Sequence, residues 1–461
     1  HNSKFNRNFS MHSLQSLSRR NFLKSSATLA AGVPFILPSR VWSAATAPSA
    51  KLTLGFIGMG TQSRGLLTNF LWQDTRVLAV CDVDATRRND AKSKVDKFYG
   101  NSDCTGYNDF RELIARKDID AVCIATPDHW HAIPTLAALR AGKDVYCEKP
   151  LTHNLHEAVE VLRAVDLNRR VLQTGSMQRS MSEFRVACEL VRNGVIGKVQ
   201  RVECSFGDPG RVCDLPEQAA EPGLDWKLWC GPAPLRGYSP VLSPRGVHKG
   251  FPDWRLYRDY GSGGVGDWGA HHLDIAQWGL GMDESGPVEV IPAADPQAKR
   301  GAKLLYASGI TVEHKDGFGV DFFGSDGEVR VNRGKFVLIV GGKTVADYSL
   351  SKPRKGQPEP VSDTSCAAEV QKAAELYLAK APIKLYQSSQ HISDFLACVR
   401  SRQKPITSEQ VGARSAICCH LINQSYYHQA RLKWDPARFE FTGGTGNAQW
   451  LTREYRAPWS V

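Results

Sequence analysis

The sequence predicts an α/β protein: a doubly wound parallel sheet, then an α+β domain on an open, mostly antiparallel sheet. Three observations carry this. Between Lys51 and Thr174, short apolar runs alternate with segments of helical periodicity, the pattern of parallel crossover units covered on both faces. A glycine-rich turn, Gly58–Gly65, joins the first strand to the first helix. Beyond Gly279, strand-like segments follow one another as far as Val340. With 461 residues, 42% hydrophobic and 23% charged, the chain has material for two or three domains, and wholesale disorder is excluded.

Element by element, Lys51–Ile57 reads as a strand, Ser63–Trp72 as a helix, Arg76–Cys81 as a strand and Thr86–Phe98 as a helix. Phe110–Ala115 is a short helix and Ala121–Ala125 a strand; Ile133–Ala141 is a helix that Gly142 stops. Asp144–Cys147, Leu155–Leu167 and Arg170–Thr174 complete this half as strand, helix and strand. Phe184–Arg192 is a helix and Lys198–Phe206 a strand. Asp208 to Asp259, rich in Pro, Gly and Trp, shows little periodicity, and a long irregular stretch in a folded domain is usually functional. A helix from Trp268 to Gly279 follows, then strands at Val288–Ile291, Lys303–Tyr306, Ile310–His314, Gly319–Phe323, Glu328–Val331 and Phe336–Val340. Gly356–Val361 reads as a surface loop, Gln390–Ser401 and Glu409–Gln429 as helices, and the tail after Arg431 as mostly irregular. The expected division is 1–47, 48–175 and 176–461.

Residues 1–47 carry +6 of the formal net charge of +11 and no acidic residue. Ser18-Arg19-Arg20-Asn21-Phe22-Leu23-Lys24, the apolar run Ala27–Leu37 and the small residues Ala45-Thr46-Ala47 have the layout of a secretory signal. The paired arginines resemble a twin-arginine export signal, with Met11 as the start and removal near Ala47. The expected partner is then the twin-arginine machinery and the destination periplasmic or otherwise outside the cytoplasm. The remaining +5 is spread too evenly for a nucleic-acid surface, and no run approaches the length of a membrane span. Of the twelve cysteines, Cys81, Cys123 and Cys147 lie in apolar strands. Cys204, Cys213 and Cys230 remain candidates for pairing.

Gly58, Gly60, Thr61, Ser63 and Arg64 form the turn and helix start that bring backbone N–H groups to a pyrophosphate. Asp82, at the end of the second strand, is placed for ribose hydroxyls and against a 2′-phosphate, which favours NAD over NADP; Arg87 and Arg88 are the residues that could argue otherwise. Thr126, Pro127 and His131 follow the third strand of the pattern and should lie along the cofactor. His129 and His131, on a loop without nearby Cys or Glu, read as packing and not as metal ligands. Glu148 and Lys149 follow the next strand, where a lysine can hydrogen-bond a substrate hydroxyl. Asp267 and His271, four apart, read as a carboxylate orienting a general base. Gln178, Arg179, His248, Trp254, Arg255, Tyr260, His272 and Asp274 are candidates to hold a substrate rich in hydroxyls.

Together the Gly58–Gly65 turn, Glu148-Lys149-Pro150 and Asp267-x-x-x-His271 resemble the glucose–fructose oxidoreductase/inositol dehydrogenase/MocA family over residues 51–440. Pro127-Asp128-His129-Trp130-His131 and Asp267–Asp274 resemble its exported branch. The resemblance implies Lys149, Asp267 and His271 as the catalytic set, with Asp267 the partner of His271. It also implies a cis bond before Pro150 and homo-oligomers assembled through the open sheet. The expected activity is NAD-dependent oxidation of a sugar, sugar derivative or cyclitol, with tightly held cofactor. The alternative is a redox-neutral glycosidase that works by transient oxidation and elimination.

Overall fold

The computed structural model describes residues 51–349 and 366–461; the expected export signal and the Gly356–Val361 loop lie outside them. The first layer is a six-stranded parallel sheet. Its strands are β1 (Leu52–Ile57), β2 (Thr75–Cys81), β3 (Thr105–Tyr107), β4 (Ala121–Ile124), β5 (Asp144–Cys147) and β6 (Leu172–Thr174). They lie in the order β3-β2-β1-β4-β5-β6, the doubly wound order in which the chain leaves β1 in both directions. β4 and β5 are buried at every position, as the interior of a two-sided parallel sheet requires.

Local chemistry sets the helices. In α1 (Thr61–Leu71), Leu66, Leu67, Phe70 and Leu71 are buried. α2 (Ala85–Tyr99) is capped by Asp84, whose carboxylate accepts from Thr86 N and Arg87 N, and it ends at Gly100 with φ +69°. α3 (Phe110–Ile114), α4 (Ala132–Arg140) and α5 (Leu155–Asn168) complete the crossovers. β3 is not in the sequence reading: three residues around a glycine give no periodic signal, and pairing with β2 alone creates the strand.

After α6 (Ser182–Arg192) comes β7 (Val199–Cys204), then the irregular stretch, which holds only α7 (Trp226–Cys230) and one 3₁₀ turn, Asp253–Leu256. The expected Trp268–Gly279 helix is α9 (Gly269–Leu280); a short helix outside the sequence reading, α8 (Gly263–Asp267), precedes it, and the two are jointed at Trp268. Seven strands follow: β8 (Glu289–Ile291), β9 (Lys303–Leu305), β10 (Thr311–His314), β11 (Val320–Gly324), β12 (Gly327–Asn332), β13 (Lys335–Val340) and β14 (Lys343–Tyr348). Next are helices α10 (Ala367–Tyr377), α11 (His391–Ser401) and α12 (Glu409–His428). The tail is not irregular throughout. β15 (Leu432–Asp435) and β16 (Glu440–Thr442) pair with each other, and β15 joins β8, where Leu432 meets Val290.

The second sheet has ten strands in the order β14-β13-β12-β11-β7-β10-β9-β8-β15-β16, open at both ends. All its pairings are antiparallel except β7 with β10. α11 packs back on the first sheet, with Phe395 against Phe70 and Tyr146. One hydrophobic cluster runs through residues of both sheets, with α9 and α12 between them. All twelve cysteines are free thiols, and eleven are buried. No described helix is long and apolar enough to cross a membrane.

Candidate active site

The ends of β1, β2, β4 and β5 open into one cavity of about 440 Å³, walled on the far side by the irregular stretch and by Asp267, Trp268, His271 and Arg333. At its nucleotide end Gly58 holds φ +83°, and a side chain there would sit 2.9 Å from Ala125 O and Thr126 N. Only glycine fits. Gly60 precedes α1, and the space beside its Cα is empty. The first turn of α1 carries no acidic residue, so its N–H groups face that space unopposed. Asp82 closes this end, its carboxylate accepting from Met59 N at 2.6 Å and Asp84 N at 2.8 Å. Burial raises its pKa. A narrow glycine turn, a free helix N-terminus and a buried acid at the second strand fit a dinucleotide.

Arg87 donates to Gly246 O at 3.1 Å, to Ser243 Oγ at 3.2 Å and to Pro244 O. Arg88 donates to Asp82 O at 2.5 Å and to Asn108 Oδ1 at 3.2 Å. Both guanidiniums are committed to protein oxygens, so neither supplies the 2′-phosphate site that would have argued for NADP. Of the expected cofactor residues, Thr126, Pro127, His131 and Glu148 line the cavity with Gly58, Gly60, Thr61 and Asp82. Ser63 and Arg64 do not. Ser63 is buried with its hydroxyl 3.6 Å from Met59 Sδ, and Arg64 donates to His248 O. His131 braces the wall, its ring nitrogens 2.6 Å from Pro150 O and 3.0 Å from Thr126 O. His129 is likewise spent on Tyr260 O and Trp229 O.

At the chemical end, the Lys149–Pro150 peptide is cis. Lys149 Nζ donates to Asp267 Oδ1 at 2.5 Å and to Asp267 O at 3.0 Å. Arg255 Nε lies 3.7 Å from the same Oδ1. Burial would raise the Asp267 pKa, but Lys149, Arg255 and Arg333 together hold it below the usual carboxylate value. This corrects the expected Asp267–His271 pair. The helix breaks at Trp268, so the two residues do not share one continuous helical face, and Asp267 serves Lys149 instead. His271 is buried, its Nδ1 has no hydrogen-bond partner, and it lines the cavity. Burial, with Lys149 and Arg333 nearby, pushes its pKa well below the ordinary imidazole value, so it is neutral.

His248, Trp254 and Arg255 line the cavity as expected. Five other candidates do not. Arg179 is buried in ion pairs with Asp274, at 2.8 Å, and Asp283, at 2.8 Å. His272 Nδ1 lies 2.5 Å from Ser205 O. Gln178 is fully buried behind the wall, accepting from Arg333 Nε at 3.2 Å. Tyr260 packs against Trp229 and His129. In each case a polar residue close in sequence to a site residue turns to satisfy a buried partner instead. The sequence reading missed Arg333 and Asp128. Asp128 stands in the Pro127–His131 segment, where its neighbours carry the signal; Arg333 stands in a hairpin turn far along the chain, with no local signal.

Comparison with known proteins agrees. Residues 52–176 match an oxidoreductase family with an NAD-binding Rossmann fold, and residues 195–354 match the C-terminal alpha/beta domain of the same family. An inositol 2-dehydrogenase of Rhodococcus jostii (strain RHA1) is 36% identical over 107 residues, 23% of this chain and 29% of that protein. A glycosyl hydrolase family 109 protein of Saccharopolyspora erythraea is 28% identical over 267 residues, 50% of this chain and 56% of that protein. The chain thus matches under a third of the first relative's length and just over half of the second's. The crystal structure of an aldose-aldose oxidoreductase from Caulobacter crescentus shares the fold, with TM-score 0.53, 20% identity, and 83% of this chain and 99% of that chain covered. The chain therefore belongs to the glucose–fructose oxidoreductase/inositol dehydrogenase/MocA family of NAD-binding oxidoreductases.

Proposed function

We propose that this chain oxidises a hydroxyl group of a sugar, sugar derivative or cyclitol. The observation that carries the reading is that Lys149 and His271 both line the cavity that begins at the Gly58 turn. NAD, when bound, supplies the hydride acceptor. Gly58, Gly60, Thr61 and the first turn of α1 would hold its pyrophosphate, and Asp82 would stand at its ribose. Lys149 Nζ, fixed by Asp267, donates a hydrogen bond to the substrate oxygen and favours its deprotonation. The neutral imidazole of His271 takes the hydroxyl proton. Trp254, Phe251 and Trp268 line the cavity and offer apolar surface to the C–H side of a sugar. His271→Ala should lower turnover by about two orders of magnitude while mass spectrometry of the denatured protein still finds nucleotide. Turnover near that of the parent would refute the assignment.

A second reading has its own support. Backbone carbonyls of residues 244–250 are latched to Arg87, Arg64 and Thr61, the last at 2.7 Å from Gly250 O. A strap over the nucleotide end favours a cofactor that stays bound and must be recycled in place. Transient oxidation two carbons from the anomeric carbon would acidify the C–H between them; the glycosidic group would leave by elimination, water would add at the anomeric carbon, and return of the hydride would restore the alcohol with no net redox change. Release of the aryl group from an aryl glycoside without added NAD supports this reading; steady NADH formation from free sugars supports the first. We further propose export by the twin-arginine route, on the Arg19-Arg20 motif, and a homo-oligomer built on the open second sheet.

A further inference from the structure

Arg333 stands at the turn between β12 and β13, delivered to the cavity by the second sheet. Its backbone is pinned on both sides: Arg333 N donates to Asn332 Oδ1 at 2.8 Å, and Gly334 N donates to Glu183 Oε1 at 3.2 Å. Its Nε donates to Gln178, and its guanidinium lies 4.8 Å over the Trp268 ring. Arg255 is arranged in the same way from the other wall. It lies 4.3 Å over Trp254 and 5.0 Å over Phe251, with Nη1 donating to Pro252 O at 3.1 Å. Both line the cavity beside Lys149.

Three cationic side chains, Lys149, Arg255 and Arg333, line this end of the cavity. Lys149, Arg255 and Arg333 all bear on the Asp267 carboxylate. The other acids here are less available. Glu148 is buried and accepts from Gln62 Nε2 and Lys149 N. Asp128 is buried among Lys149, Arg255 and Asp267, and burial pushes its pKa up to about 7. His271 is neutral. Guanidinium groups stay charged at any physiological pH, and a planar fork held over an aromatic ring is preorganised for a carboxylate.

We propose that the substrate carries a carboxylate, as a uronic or aldonic acid does, and that Arg333 and Arg255 hold that group while Lys149 and His271 act on the hydroxyl being oxidised. The inference rests on the oxidoreductase reading of this cavity.

The test uses the full chain with its nucleotide. D-Glucuronate and D-gluconate are compared with D-glucose and myo-inositol, by nucleotide reduction and, separately, by calorimetric binding. The acidic sugars should show kcat/KM at least about tenfold higher, an advantage that added salt shrinks. Arg333→Gln should abolish that advantage mainly through KM, and Arg333→Lys should restore part of it. Parity between glucuronate and glucose in the parent overturns the proposal. So does an Arg333→Gln variant, folded by its melting temperature, that weakens acidic and neutral sugars alike, since that is the mark of a structural role. If neither class reduces nucleotide but glucuronate still binds about tenfold tighter than glucose, the acid site stands and the oxidoreductase reading falls.

Discussion

Gly58 shows how much one residue can decide. Its φ of +83° and the 2.9 Å approach of Ala125 O leave no room for a methyl group. Gly58→Ala should cost about 1–3 kcal/mol of stability and weaken nucleotide binding, read by chemical denaturation and by nucleotide content after purification. An alanine variant as stable and as fully loaded as the parent would show that the turn is not under this constraint. Asp267 teaches the opposite lesson. Its spacing from His271 suggested a pair, but the chain turns at Trp268 and the carboxylate meets an ammonium 118 positions away. Residue types that bear chemistry were visible in the sequence. Which of them touch was not, because a contact across a cavity depends on how two layers are stacked.

Among elements, the parallel half was legible almost strand for strand. Strands buried on both faces are continuous apolar runs, and the crossover helices between them carry their own caps. β3, β15 and β16 were not legible, since three or four residues acquire strand geometry only from a neighbour's hydrogen bonds; β14 and α10, though longer, were missed as well. The irregular stretch was recognised as functional without its role being evident. Its residues 243–250 cross to α1 and α2, where Arg87 reaches three oxygens of the strap. Arg87→Ala should release NAD at least about tenfold faster, several hydrogen bonds being lost together. Nucleotide retained through gel filtration measures this; full retention would mean that the strap does not govern exit.

Taken whole, the protein buries imidazoles in number. Burial holds His131, His272, His314, His391 and His420 near about 4 and His129 near about 3. An unfolded chain binds protons at these groups at about 6.5, so acidification below that value favours unfolding. Five carboxyls act the other way: Asp128, pushed up to about 7, Asp274 and Asp321, up to about 6, and Asp82 and Glu148, which burial also raises, favour the protonated form in the native state. With His153 and His271 also held well below the ordinary value by burial, eight imidazoles outweigh five carboxyls. The melting temperature should therefore fall between pH 7 and pH 5 by about 5 °C or more. A flat or rising profile across that range would show that the buried histidines do not dominate.

By itself the sequence determined the alternation of strand and helix, the glycine turn, the acid after the second strand and the lysine after the strand Asp144–Cys147. These follow from periodicity and from backbone constraints that act over a few residues. Only the tertiary structure decided that Asp267 holds Lys149, that Arg179 and Asp274 neutralise each other inside the core, and that Arg333 enters the cavity from the second sheet. Burial makes an unpaired charge costly, so each charged side chain takes the partner that the packed layers bring to it, however far away that partner lies along the chain.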